Sequence, residues 1–235
     1  MTSEFLSHLE ELRRRLLMCF LAFLVASGGA FFYSSELIDV LILPFRRPTA
    51  TQLFFQKPYE AFLTHLTVSA LAGILIASPF ILAQFWLFIA PGLYEKEKKM
   101  FLAWLGASLS FFFAGAAFAF LVVIPWGLQF LLNFQTETMK PLLAVGPYFS
   151  FVAGMILVFG VLFNFPVVIL ALIRLGVLKT AALARSRRVV IVLIFILAAV
   201  LTPAPDPVSQ CFLALPLILL FEGTLLLARF YPPKR

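Results

Sequence analysis

Two polar clusters stand out in a chain that is otherwise almost wholly apolar. The first is SEFLSHLEELRRRL, residues 3–16. On a helix, Glu10 with Arg14 and Glu11 with Arg15 are acid-to-base pairs four residues apart. His8, Glu11 and Arg15 share one face, and Leu9, Leu12 and Leu16 form another. The second is YEKEKK at 94–99, which follows QFWLFIAPGL and sets Glu95 and Glu97 among Lys96, Lys98 and Lys99. A carboxylate accepts a guanidinium through two parallel hydrogen bonds, a geometry that lysine, a point charge, cannot copy. Each cluster also has a plainer reading. The first reads as a solvated helix entering a membrane with its arginines on anionic lipid. The second reads as a charged turn that fixes topology.

Other polar groups sit inside apolar runs: Gln84, Asn164 just before Pro166, Glu222, and Asp206 with Gln210 at the start of the last run. Polar groups at membrane depth are costly unless they face protein or water, so each is a site candidate. The plainer readings are an interhelical hydrogen bond for Asn164 and a snorkelling surface acid for Glu222. Enzyme signatures are missing from the sequence: no HExxH, GxSxG or P-loop, and no Cys/His cluster with metal-ligand spacing. His8 and His65 fall at opposite ends of different apolar runs. Cys19 and Cys211 fall at opposite depths, which no disulfide spans. The reading is therefore no enzyme, no cofactor and no metal.

The elements that must position these groups are membrane helices. Apolar residues make up 63% of the chain, charged residues only 12%, and mean hydropathy is +1.04, against about 25% charged residues in soluble domains. Runs near the 20 or so residues that a span needs lie at 16–33, between Glu60 and Glu95, between Met100 and Pro125, and at 148–173. Shorter runs at 189–201 and 208–228 are separated by TPAPDP. With the N-terminus inside, 14 of the 18 Lys and Arg residues fall on the inner side and 4 on the outer, which fixes the topology by the positive-inside rule. The expected fold is all-α: one polytopic domain, residues 1–235, with six transmembrane helices, short fifth and sixth helices, and both termini cytoplasmic. The N-terminal segment reads as an amphipathic helix and not as a cleavable signal peptide. The second run has to tilt, kink at Pro79 or project into water, since 34 residues reach about 51 Å as a helix. The fifth run reaches only about 20 Å, which places the Pro-rich tip below the outer surface. Ser34 or Ser35 is expected to cap a short interfacial helix ending near Pro44, and 126–147 is expected to be an outer segment. Neither an internal repeat nor a second domain is visible.

Taken together, HLEELRRRL at 8–16, QFWLFIAPGLYEKEKK at 84–99, FGVLFNFPVVI at 159–169, TPAPDPVSQ at 202–210 and FEGTLLLARF at 221–230 resemble TatC, the polytopic receptor component of the twin-arginine protein translocase. The resemblance covers nearly the whole chain. It implies a bacterial inner-membrane receptor that binds twin-arginine signal peptides of folded cargo and assembles with TatA- and TatB-type single-span subunits. Self-association and contact with membrane lipids are also implied, with no nucleic acid. The family's signal-binding carboxylates match Glu11 and Glu97, and His8, Arg13, Phe88, Pro91 and Tyr94 lie in the same motifs. The family's outer-side proline matches Pro44, its hairpin acid Asp206 and its partner-contacting glutamine Gln210. One departure is Asn164, where the family often carries glutamate: hydrogen bonding is kept and the charge is not. Another is Ala204 between two prolines, which shifts Thr202 relative to members with a shorter tip. Two arginines need two separated acids, and Glu11 and Glu97 supply them from two segments. The surrounding basic residues would repel generic cationic peptides and reject imperfect signals. The rival reading is a small secondary transporter or channel, with Gln84, Asn164 and Asp206 along a solute path.

Overall fold

A computed structural model of the chain describes residues 2–46, 53–89, 98–132, 143–174, 176, 178, 183, 185–201 and 207–230. Its described residues are helical, apart from short connections and one isolated β-bridge between Phe54 and Ala144. In order they are α1 (Thr2–Phe31), α2 (Ser34–Leu41), α3 (Leu43–Arg46), α4 (Glu60–Ile89), α5 (Lys98–Phe118), a π-helical turn (Ala119–Val123) and α6 (Ile124–Leu132). Then follow α7 (Val145–Phe163), α8 (Phe165–Arg174), α9 (Arg187–Leu201) and α10 (Pro207–Phe230). Among the described residues, four stretches are long and apolar enough to cross a membrane: His8–Phe31, Glu60–Phe88, Phe101–Phe130 and Val145–Arg174. The apolar α9 is shorter, at 15 residues, or about 22 Å. An all-α polytopic membrane fold, with a short fifth apolar helix, is thus what the chain adopts. Leu17, Leu21, Val25, Leu121, Val161, Val200 and Leu219 are large, apolar and exposed, as side chains facing lipid must be.

Pro79, Pro125 and Pro166 are each accommodated in a different way. Pro79 lies inside α4, which stays helical through it. Proline has no N–H for the carbonyl four residues back, which here is that of Leu75. The Ser78 hydroxyl donates to this same carbonyl at 2.7 Å, as membrane helices require of a freed backbone group. Pro125 was expected near the end of the third span. Instead the helix widens into the π turn immediately before it and continues to Leu132. The stretch at 126–147 is correspondingly helical at both ends, through Leu132 and again from Val145. Pro166 breaks the fourth stretch: α7 ends at Phe163, Asn164 forms a turn, and α8 resumes at Phe165.

The described chain falls into two compact units, one of residues 1–109 with 135–153, the other of residues 110–134 with 154–235. In the first, α1 packs extensively along α4. They approach closely at Gly73, where a Cβ would lie 2.7 Å from the Ser27 Cα. Small residues allow this approach, which drives helix pairing where water cannot. The Trp86 indole donates to the buried Ser108 hydroxyl at 2.8 Å and stacks on Trp104, tying α4 to α5. In the second unit, Phe118, Phe159 and Phe163 cluster, and Gly115 sits against the Phe159 carbonyl with no room for a side chain. Ile169, Ile173, Leu183, Phe221 and Ala228 form one buried apolar cluster in it.

The serine cap expected for α2 is not formed. Tyr33 occupies the cap position without a side-chain bond, because the buried Ser34 hydroxyl is engaged with His65 Nδ1 at 2.8 Å. Nearby, the Glu60 carboxylate accepts backbone N–H groups from Gln56 (2.6 Å), Lys57 (3.4 Å) and Gly146 (3.1 Å). The Tyr148 hydroxyl donates to the Leu41 carbonyl at 2.8 Å. One junction of α2, α4 and the start of α7 is thereby knitted by polar bonds.

Candidate functional site

The site forms where the N-terminal part of α1 meets the C-terminal part of α4. Ser27 opposes Gly73 and Arg15 reaches Gln84, so the two helices run antiparallel in tight register. That register brings residues more than seventy positions apart onto one corner. The His8 ring stacks on Phe88, with centroids 4.8 Å apart and planes 19° off parallel. His8 Nδ1 lies 3.8 Å from Glu11 Oε2. The other Glu11 oxygen, Oε1, accepts from Arg15 Nε at 3.0 Å and from Arg15 Nη2 at 2.6 Å. The remaining arm of the same guanidinium, Nη1, donates to Gln84 Oε1 at 2.8 Å. Glu11 and Arg15 keep 34% and 20% of their side-chain surface exposed, so the pair is open to exchange with an incoming group.

Beside it lies an open pocket of about 580 Å³ lined by Glu10, Glu11, Arg14, Arg15, Met18, Gln84 and Leu87. This is within the ~300–1,000 Å³ range of ligand pockets. Chemically, the corner is a guanidinium acceptor: a carboxylate and an amide oxygen in reach of one planar fork. Of the two i,i+4 pairs expected on α1, Glu11 with Arg15 is formed, and the ion pairs of the described residues do not include Glu10 with Arg14. Arg13, 200° around the helix from Glu11, is exposed on another face. Glu97, Pro91, Tyr94 and Asp206 lie outside the described residues.

The remaining candidates sit elsewhere. Pro44 is buried in α3, and Gln210 is half-buried in the first turn of α10. Asn164 is buried; its Nδ2 donates back to the Gly160 carbonyl at 3.1 Å, and its Oδ1 has no partner among the described residues. Among the described residues, the bond it makes is not the expected interhelical one but one back to the last turn of α7. Glu222 is not a lone snorkelling acid. Both its oxygens accept from Arg187, through Nε at 2.5 Å and through Nη2, which joins α9 to α10. An apolar groove of about 170 Å³ in the second unit is lined by Phe165, Val190, Leu193, Leu197, Leu217 and Leu220 among others.

Sequence reasoning named His8, Glu11 and Phe88, which the fold brings together. It flagged Gln84 as a costly intramembrane polar group without its partner, Arg15. Arg15 was placed on the correct face of α1 but not in this role.

Residues 7–216 match the family model described as Sec-independent protein translocase protein (TatC). The chain is 37% identical over 227 residues to the Sec-independent protein translocase protein TatC of Carboxydothermus hydrogenoformans, covering 97% of this chain and 93% of that one. The protein of the same name from Aquifex aeolicus is 37% identical over 231 residues, with 97% and 95% covered. The chain belongs to the TatC family. Among solved structures, the crystal structure of a twin-arginine translocase receptor, TatC, superposes with a TM-score of 0.87 at 37% identity. That match covers 95% of this chain and 99% of the other. As a TatC protein, the chain is a membrane-embedded component of a Sec-independent protein translocase and not an enzyme.

Proposed function

We propose that this TatC protein receives twin-arginine signal peptides at the α1–α4 corner and that Glu11 holds one of the two arginines. The observation that carries the reading is the convergence of His8, Glu11 and Phe88 at one corner, from two motifs far apart in sequence. The second arginine is assigned to Glu97, on the segment that follows α4. His8 and Phe88 offer a stacked ring surface, and Pro91 and Tyr94 are assigned to the same rim, whereas Arg13, on another face of α1, is assigned no contact with the arginine held by Glu11. In this reading the rim faces the cytoplasm, which the excess of Lys and Arg on that side supports, with six spans in one membrane domain, both termini inside and the chain in a bacterial inner membrane.

Single-span TatA- and TatB-type partners are assigned to the last two helices, where Gln210 supplies a hydrogen bond at membrane depth and Asp206 lies between the two in sequence. Pro44 belongs to the outer rim. Asn164 supplies a neutral polar group within the span, so no step that needs an anion at that depth runs through it. Copies of the chain associate with one another in the working complex. The solute-path reading loses Gln84, which is engaged by Arg15.

The test is binding of a fluorescent twin-arginine signal peptide to the purified protein. A twin-lysine peptide and the Glu11→Ala/Glu97→Ala protein serve as controls. Selective binding lost in both controls is expected; equal binding to both peptides by a folded protein refutes the assignment.

A further inference from the structure

Glu11 and Gln84 already hold a guanidinium, and it is the chain's own. Arg15 presents its whole planar edge: two nitrogens to Glu11 Oε1 at 3.0 and 2.6 Å, and the third to Gln84 Oε1 at 2.8 Å. An i,i+4 ion pair on a helix needs only Glu11 and Arg15 and contributes little. The bond to Gln84 is a different matter. It crosses from α1 to α4 and fixes the fork in one orientation. Gln84 also sits in a strongly apolar helix, where a polar side chain without a task is disfavoured.

We infer that Arg15 is a resident occupant of the arginine site, held by Glu11 and Gln84, which an incoming signal arginine must displace. The inference rests on the receptor reading above and adds two residues to it. Gln84 becomes a second acceptor for the signal guanidinium, and Arg15 becomes the competitor that sets the threshold for entry. Exchange of one guanidinium for another leaves every hydrogen bond at the site satisfied, so a signal arginine replaces Arg15 at small cost. A lysine ammonium cannot reproduce three in-plane bonds from a fixed fork. Lysine would have to evict Arg15 and leave part of the acceptor set unfilled. Rejection of lysine therefore comes from the resident arginine as well as from the acids. The displaced Arg15 has somewhere to go: it lines the open pocket of about 580 Å³ that also holds Glu10.

The experiment measures binding of twin-arginine and twin-lysine peptides to the full-length protein in lipid nanodiscs. The proteins compared are wild type, Arg15→Gln, Arg15→Met, and Arg15→Gln/Gln84→Leu. Removing the resident should tighten twin-arginine binding about three- to thirtyfold, the competent fraction of sites being released from competition. It should also shrink the preference for arginine over lysine. In the Arg15→Gln protein Gln84 is released from Arg15 to accept from the peptide's arginine, so adding Gln84→Leu should weaken binding again. Unchanged or weaker binding in both Arg15 variants, with wild type still selective, overturns the inference and leaves the receptor reading standing. Tightening without any effect of Gln84→Leu overturns the assignment of Gln84. No twin-arginine binding by wild type or either single variant overturns the receptor reading and this inference together.

Discussion

Replacing Gly73 with alanine tests whether the α1–α4 contact builds the site. An added Cβ would lie 2.0 Å from the Ser27 Oγ and 2.7 Å from both the Ser27 Cα and its backbone nitrogen. Ordinary carbon contacts begin near ~3.5 Å, so the helices must separate by about 1 Å. The hydroxyl could rotate away, but the backbone atoms cannot. Overpacking of this kind costs about 1–3 kcal/mol. Eleven residues further along α4, about 16 Å away, Gln84 holds Arg15 at 2.8 Å. A shift of about 1 Å there takes the bond past the range in which a hydrogen bond is meaningful. The expected result is a lower unfolding temperature in detergent, together with weaker twin-arginine peptide binding. Adding Ser27→Ala removes the Oγ clash but not the backbone clash, so the double variant should recover little. Full recovery by Ser27→Ala would show that only the side chain was in the way. Unchanged melting and binding in Gly73→Ala would refute the claim that this contact sets the register of the site.

Two further outcomes follow from polar bonds away from that corner. Glu60→Gln replaces one acceptor oxygen by a donor facing backbone N–H groups, so the Gln56 and Gly146 amides should exchange with deuterium faster while the amides of mid-α4 do not. Exchanging the partners of the α9–α10 ion pair, as Arg187→Glu/Glu222→Arg, should restore the resistance to limited proteolysis that either single change lowers; no recovery would show that the pair does not join these helices.

The helical content and most span positions were legible because apolar run length in a membrane chain is a direct consequence of backbone hydrogen bonding. Several interruptions were not. A sequence shows that Pro79, Pro125 and Pro166 each lack a donor, but not how each gap is met. One is answered by the Ser78 hydroxyl, one by a π turn, and one by a break in the helix. Ser34 followed the same pattern. Its type and position suit a cap, yet His65 lies 31 residues away in sequence and 2.8 Å away in space, and the tertiary bond prevailed. Glu222 looked like a surface acid because its partner, Arg187, lies in a different helix.

The corner of Glu11, Arg15 and Gln84 shows why a site can be half legible. The spacing of Glu11 and Arg15 is local, four residues on one helix, and the pair can be read from periodicity alone. Gln84 enters only through the antiparallel register of α1 and α4, which small residues at Ser27 and Gly73 set near the far end of α1. A one-residue slip of α4 would turn Gln84 by about 100° and put its amide out of reach of the guanidinium. The binding chemistry is thus written in the charged motif, but its geometry is written in a glycine some 16 Å along the helix. On the proposed reading, arginine recognition at this corner depends on the packing of an apolar seam as well as on the acids assigned to the ligand. Changes along that seam should alter signal discrimination even where they touch no charged residue.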